Sequence, residues 1–220
     1  MLVRNARPSA LLAVVAALVL LAGCGGGDDK KEKAKRPLCG PATAAKARQV
    51  KDRKPPSFRL DPAKTYVATV ETSCGVIKIT LDSKRAPKTG GSFVSLARKG
   101  FYNGLLFHRV VHTFVVQGGD PTASGAGGPG YRITERPPKD LVYSLGVVAM
   151  AKTPKEPTGA SGSQFFIVTA DDAELSPVFA LLGRVTSGID VVHAIENVDT
   201  DQTDRPFSPI VIKKITITES

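Results

Sequence analysis

The chain has no tryptophan, two methionines, three histidines and three cysteines in 220 residues. The histidines (His108, His112 and His193) are scattered without metal-ligand spacing, so no metal and no cofactor are expected. His108, inside an apolar strand, reads as structural, His112 as a residue beside a turn, and His193 as a non-catalytic helix position. No obvious nucleophile accompanies them. No apolar run reaches the roughly 20 residues a membrane-spanning helix needs, and no internal repeat is present. Acidic residues are also short in number, 20 against 30 basic ones, for a net charge of +10.

That excess is confined to one end. Residues 1–23 carry +2, residues 24–60 carry +7, and residues 61–220 carry only +1. The globular part is nearly neutral, and nucleic acid is excluded as its expected partner. The N-terminus reads as an export signal: Arg4 and Arg7 precede thirteen apolar residues, Ala10 to Ala22. Leu21-Ala22-Gly23-Cys24 follows, and small residues before a cysteine resemble the lipobox of bacterial lipoproteins. The resemblance implies a signal peptide over 1–23, cleavage before Cys24, and a lipid such as palmitate on that residue. The plainer alternative is a secretory signal with an incidental cysteine. Residues 24–60, rich in glycine, charge and proline, read as a flexible basic linker that lies on an anionic membrane surface or is simply solvated. Ala42 to Val50 has the composition of a helical turn or two. With Cys24 lipidated, Cys39 and Cys74 remain; in an oxidising compartment they could pair, or they could stay as two free thiols.

Residues 61–220 are long enough for one domain with a real core. Tyr66–Thr72 and Val76–Leu81 alternate with β-branched residues around the short turn Ser73-Cys74-Gly75, which predicts a hairpin. Further strands are expected at Leu106–Val111, Phe114–Gln117, Val147–Ala151, Phe165–Thr169, Phe179–Arg184 and Ile210–Thr218. Helices are expected at Ala86–Arg98, despite Gly90 and Gly91, and at Ile189–Asn197. Many short strands, glycine and proline loops and two helices predict a mainly β fold, a closed barrel capped at its ends.

Three blocks within about sixty residues stand out: Phe107-His108-Arg109, Phe114-Val115-Val116-Gln117-Gly118-Gly119-Asp120 and Gly162-Ser163-Gln164-Phe165-Phe166. Each sets one or two hydrogen-bonding side chains in an aromatic or aliphatic stretch. That inventory suits a pocket that grips an apolar ring and hydrogen-bonds an amide. A fourth pattern, Gly125-Ala126-Gly127-Gly128-Pro129-Gly130, fits the dinucleotide fingerprint, but Pro129 and the strand-like Tyr131–Thr134 leave no helix N-terminus for a phosphate.

These blocks, with Ala86-Pro87-Lys88-Thr89, Phe101-Tyr102-Asn103-Gly104 and Gly146-Val147-Val148-Ala149-Met150-Ala151, resemble the cyclophilins in kind and order over about residues 64–219. The resemblance implies an eight-stranded antiparallel barrel capped by two α-helices, and peptidyl-prolyl cis–trans isomerase activity. It implies Arg109 as the catalytic arginine and Gln117 as a group that hydrogen-bonds substrate backbone and helps hold Arg109. Phe114, Val115, Phe166 and Leu175 would form the proline pocket, with Phe179 on its wall, and Gln164 and the Ala151 backbone would hold the flanking peptide. The implied partners are proline-containing segments of unfolded or exported proteins, met by a monomer anchored through lipid in a bacterial cell envelope. The chain departs from the family pattern at the pocket rim. Glu174 stands where many cyclophilins carry tryptophan, which implies weak cyclosporin binding. Phe179 replaces a histidine or tyrosine, Val115 a methionine, and Lys152 a frequent asparagine. A weakly catalytic module that binds proline peptides is the alternative these changes leave open.

Overall fold

Alternation of β-branched and polar residues sets the first two strands. The computed structural model describes residues 39–51 and 53–220; the signal peptide, Cys24 and the tether as far as residue 38 lie outside the described residues. Strands β1 (Tyr66–Thr72) and β2 (Gly75–Leu81) pair antiparallel from Tyr66↔Leu81 to Thr72↔Gly75. Their inward positions Ala68, Val70, Ile77 and Ile79 are fully buried. Helix α1 (Pro87–Arg98) follows, then β3 (Leu105–Val111), β4 (Val115–Asp120), β5 (Ile133–Thr134), β6 (Val147–Met150), β7 (Ala160–Ser161), β8 (Phe165–Val168), β9 (Leu181–Ser187), α2 (Ile189–Glu196) and β10 (Val211–Glu219). Eight strands close into a barrel in the order β1-β10-β3-β4-β8-β6-β9-β2, every pair antiparallel. Closure leaves the barrel itself no sheet edge to template aggregation. Both helices bury apolar faces in the barrel core, α1 through Phe93, Val94, Leu96 and Ala97, α2 through Val191, Val192 and Ile195.

Three expectations on the elements need revision. The ribbon β5–β7 was not foreseen as a pair; two-residue strands are too short to carry a period. Strand β9 starts at Leu181 rather than Phe179, because the Phe179 backbone is taken by a side chain: its N–H donates to the Tyr143 hydroxyl and its carbonyl accepts from it. Residues 42–50 are not helical, since their amides go to the barrel, Ala45 N–H to Gly104 O and Arg48 N–H to Pro121 O.

The second half of the expected flexible linker is part of the domain. From residue 39 the chain runs as a strap across the barrel. Cys39 and Cys74 form a disulfide, closing a sequence separation of 35 residues. The Arg48 guanidinium donates to Phe101 O at 2.7 Å and lies 5.6 Å from that ring. Leu60, 3 % exposed, belongs to the core, and its N–H donates to Pro87 O. The strap also accounts for the two glycines inside α1: a Cβ at Gly90 would overlap the Leu60 side chain, and one at Gly91 the Phe58 carbonyl. They weaken the helix by about 1 kcal/mol each and in exchange let a second chain segment lie against it. Composition misled here because charge and proline dominate the segment, while one leucine and one covalent bond fix it.

Candidate functional site

The barrel carries two apolar clusters. One is the interior core. The second gathers Val115, Tyr143, Val147, Ala149, Phe166, Val168 and Leu181, with Phe114, Ala151, Leu175 and Phe179 packed on it half-buried. Val116, Ile167 and Val148, the neighbours that alternate with several of these, belong to the interior core. The second cluster therefore lies on the outer face of β4, β8, β6 and β9. An apolar floor on the outside of a barrel, walled by aromatic rings, is a place for an apolar group to dock.

Cross-strand register aligns the polar residues with that floor. Arg109 on β3 pairs with Gln117 on β4, Gln117 with Phe166 on β8, and Phe166 with Ala149 on β6. Directly opposed residues share a face, so guanidinium, amide, phenyl ring and the Ala149 methyl form a row across four adjacent strands. Arg109 reaches this face because of a β-bulge. Phe107 pairs with Gly118 and Arg109 with Gln117, so His108 is an extra residue on β3. Strict alternation would place Phe107 and Arg109 on the same side. With the bulge, Phe107 and Val110 point into the core and Arg109 points out. His108 takes up the irregularity: it is buried, neither ring nitrogen has a hydrogen-bond partner among the described residues, and burial pushes its pKa down.

Arg109 Nε donates to Asp204 Oδ2 at 3.2 Å, both side chains about 40 % exposed (39 % and 42 %). Gln117 does not hold Arg109 as the sequence reading proposed. Its Nε2 donates to Gln164 Oε1 at 2.9 Å. Gln164 Nε2 in turn donates to the carbonyls of Gly125 and Gly127, both at 2.9 Å. The glycine-rich segment is thus a loop whose carbonyls orient two site amides. Its own amides face inward onto Asp120. Oδ1 accepts from Thr122 N–H and Oγ1–H, at 2.7 and 2.8 Å, and Oδ2 accepts from the N–H groups of Ser124, Gly125 and Gly127, at 3.1, 2.6 and 3.3 Å. Burial alone would raise the Asp120 carboxyl, but the bonds from Thr122, Gly127 and Gly125 outweigh it and hold its pKa below the usual carboxylate value. The loop's anion-binding geometry is filled by the protein's own carboxylate.

The aromatic wall is braced in the same manner. Phe166 and Phe179 meet edge to face, centroids 5.4 Å apart, and Tyr143 lies 6.4 and 6.0 Å from them. The Tyr143 hydroxyl donates to Phe179 O at 2.7 Å, and burial pushes its pKa up to about 12. Lys152 Nζ stands 5.5 Å from the Phe179 ring centroid. Phe114 sits in the β3–β4 turn. The preceding Thr113 has φ of 55° and donates its N–H at 2.7 Å to Glu196 Oε1, a buried carboxylate at the end of α2. Burial pushes the Glu196 carboxyl up, yet hydrogen bonds, the His193 contact among them, hold it below the usual value. Ala151 N–H donates to Gln164 O at 2.9 Å. Arg109, Gln117, Phe114, Val115, Ala151, Gln164, Phe166, Leu175 and Phe179 therefore all fall on one face. Tyr143, Asp204 and Glu196, which hold them, were missed. A cavity of about 790 Å³, lined by Lys64, Asp82, Arg85, Asp140 and Arg184 among others, contains none of the expected site residues.

A family model, cyclophilin type peptidyl-prolyl cis-trans isomerase, matches residues 67–217, the whole span that carries this row and its floor. The chain belongs to the cyclophilin family. It is 40% identical over 149 residues to "Peptidyl-prolyl cis-trans isomerase-like 1" of Mus musculus, covering 66% of this chain and 88% of that protein. It is 38% identical over 174 residues to "Peptidyl-prolyl cis-trans isomerase A" of Mycobacterium tuberculosis, covering 71% and 94%. Among solved structures, a Cryptosporidium parvum cyclophilin superposes with a TM-score of 0.65 at 32% identity, covering 70% of this chain and 98% of its own. A second structure of that protein, determined in the presence of the dipeptide Ala-Pro, gives 0.64. The protein is a cyclophilin-type peptidyl-prolyl cis–trans isomerase, and its fold is the one the motifs implied.

The chemistry of that activity fits the inventory. No bond is made or broken; an Xaa-Pro amide rotates over a barrier of roughly 18–20 kcal/mol set by its partial double-bond character. At the twisted geometry conjugation is lost and the prolyl nitrogen regains a lone pair. A donor that meets this nitrogen only in the twisted state lowers the barrier, whereas one that binds both states equally does not. An arginine beside an apolar floor needs no general base to do this, since its charge is permanent.

Proposed function

We propose that Arg109 donates to the prolyl nitrogen in the twisted state while the proline ring rests on Phe114, Val115, Phe166 and Leu175, with Phe179 as the far wall. Gln117 and Gln164 hydrogen-bond the substrate backbone, and Ala151, whose N–H is already occupied, offers its carbonyl. The observation that carries this reading is the register row that sets the Arg109 guanidinium beside the Phe166 ring across β4. The test is cis-to-trans exchange of an Ala-Pro peptide at low temperature with the wild-type chain and Arg109→Ala. Near-background exchange by a folded variant that still binds the peptide supports the assignment. Wild-type exchange by Arg109→Ala overturns it.

In the cell, the substrates on this reading are proteins that fold after export, where isomerisation over tens of seconds limits folding. The enzyme works as a monomer held to the envelope by lipid on Cys24, with the basic segment that follows lying on an anionic membrane surface. The export signal, the lipobox-like Leu21-Ala22-Gly23-Cys24 and the disulfide, which suits an oxidising compartment, support this. Cell fractionation tests it: wild type should partition with membranes, and Cys24→Ser should be released or retained as precursor. Unchanged membrane association of Cys24→Ser would sink the anchor, and sedimentation as a dimer would sink the monomer.

A further inference from the structure

The segment between α2 and β10 reads in sequence as a polar surface loop, Asp199-Thr200-Asp201-Gln202-Thr203-Asp204-Arg205. In the structure it is braced from three sides and delivers one carboxylate to Arg109. Asp201 Oδ1 accepts from Thr203 N–H, Thr203 Oγ1 and Arg205 N–H at 2.7, 2.7 and 3.1 Å. Thr200 and Pro206 form a β-bridge across the loop. The loop is tied to the bulged strand, where Val110 N–H donates to Asp204 O at 2.8 Å, and to the glycine-rich loop, where the Arg205 guanidinium donates to Ala123 O. Asp204 itself sits at φ of 64°, in the left-handed region that Asp and Asn enter more readily than other L-residues. The result is an acceptor for Arg109 Nε at 3.2 Å.

We propose that Asp204 is a positioning residue for catalysis: its carboxylate fixes the plane of the Arg109 guanidinium and leaves the two Nη groups for substrate. The inference rests on the reading of Arg109 as the donor to the prolyl nitrogen. An exposed arginine samples many rotamers, and the only side-chain hydrogen bond that Arg109 makes among the described residues is this one. Exposed ion pairs of this kind add little to stability, so a pair held by a braced loop is better explained by what it does to the guanidinium. Misplacement of a reacting group by about 1 Å can lower a rate up to 100-fold.

Three variants of the full chain separate the possibilities. Asp204→Gly removes the carboxylate and relaxes the left-handed backbone. Asp204→Asn keeps an acceptor oxygen and tolerates that backbone. Asp204→Gly in the Arg109→Ala background completes a double-mutant cycle. We expect Asp204→Gly to lower kcat about 10-fold, with KM for the Ala-Pro peptide and the unfolding midpoint nearly unchanged. Asp204→Asn should restore most of the loss, and Asp204→Gly should have no further effect once Arg109 is alanine. Wild-type kcat in Asp204→Gly, or the same fractional loss with and without Arg109, overturns the positioning role. A loss that tracks only a lowered unfolding midpoint, with no rescue by asparagine, also overturns it. If Arg109→Ala alone keeps wild-type activity, the fault lies with the reading of Arg109 rather than with Asp204.

Discussion

The replacement Asp120→Asn tests how the glycine-rich loop is built. Asp120 is 1 % exposed and accepts from five donors. Asparagine keeps one acceptor oxygen, enough for the pair of bonds from Thr122, and turns an NH2 toward the amides that Oδ2 now serves. Of those amides, Ser124 and Gly125 lie in exposed residues and can turn to water, whereas Gly127 is buried. One buried donor left unsatisfied costs about 1–3 kcal/mol, and losing charge assistance on the other bonds adds about 1 kcal/mol. The sum is near 3 kcal/mol, a fall of roughly 6–12 °C in the unfolding midpoint for a domain of this size. The loss should depend on pH. The folded-state pKa of Asp120 is depressed, so its contribution is fully present above the unfolded carboxylate value of about 3.9 and disappears as pH falls through the lower, folded value. Wild type and Asp120→Asn should therefore differ most near neutral pH and converge in acid. Activity should fall as well, because the Gly125 and Gly127 carbonyls that orient Gln164 move with the loop. Denaturant unfolding across pH, with hydrogen exchange at the Gly127 amide, reads the stability loss and its pH dependence, and cis-to-trans exchange of an Ala-Pro peptide reads the activity. A destabilisation below about 1 kcal/mol, or one that does not shrink in acid, would refute the argument.

Other outcomes follow from the same structure. Arg109→Lys should lose most of the turnover while binding peptide normally, since a point charge on a flexible stem does not reproduce a planar fork; peptide titration beside an exchange assay checks it. Gly91→Ala should destabilise by about 1–3 kcal/mol although alanine favours helix, because a Cβ there meets the Phe58 carbonyl; Gly90→Ala, which meets the end of the Leu60 side chain, should cost less. Converting Cys39 and Cys74 to serine should cost about 4 kcal/mol by loop-closure entropy over the 35-residue separation, measured by denaturant unfolding of the two forms. Glu174→Trp should tighten cyclosporin binding from a weak wild-type starting point, and nanomolar affinity of the wild type would contradict the reading of that rim position.

Where periodicity was strong, the sequence was a good guide. The β1–β2 hairpin, α1, α2 and β10 stand within a residue or two of where alternation and apolar spacing place them. The barrel, the row of Arg109 and Gln117 and the apolar floor were reached through motifs, because each motif set a polar side chain among apolar neighbours. The structures that hold those residues were not legible. Tyr143 lies in the loop Asp140-Leu141-Val142-Tyr143 with no pattern to mark it. Asp204 belongs to a polar run indistinguishable from solvated surface, and only the fold brings it within reach of a residue 95 positions away. The strap failed to show for the opposite reason: a strong compositional signal of disorder overrode the weak one of a single leucine.

The bulge at His108 makes the register of β3 a variable of the active site. If His108 were taken up into regular pairing, strict alternation would turn Arg109 to the side of Phe107, into the interior; if His108 were removed, Phe107 and Arg109 would become neighbours on opposite faces and Arg109 would still point out. The site is therefore more exposed to a slip of one residue in the β3–β4 pairing than to the loss of His108 itself.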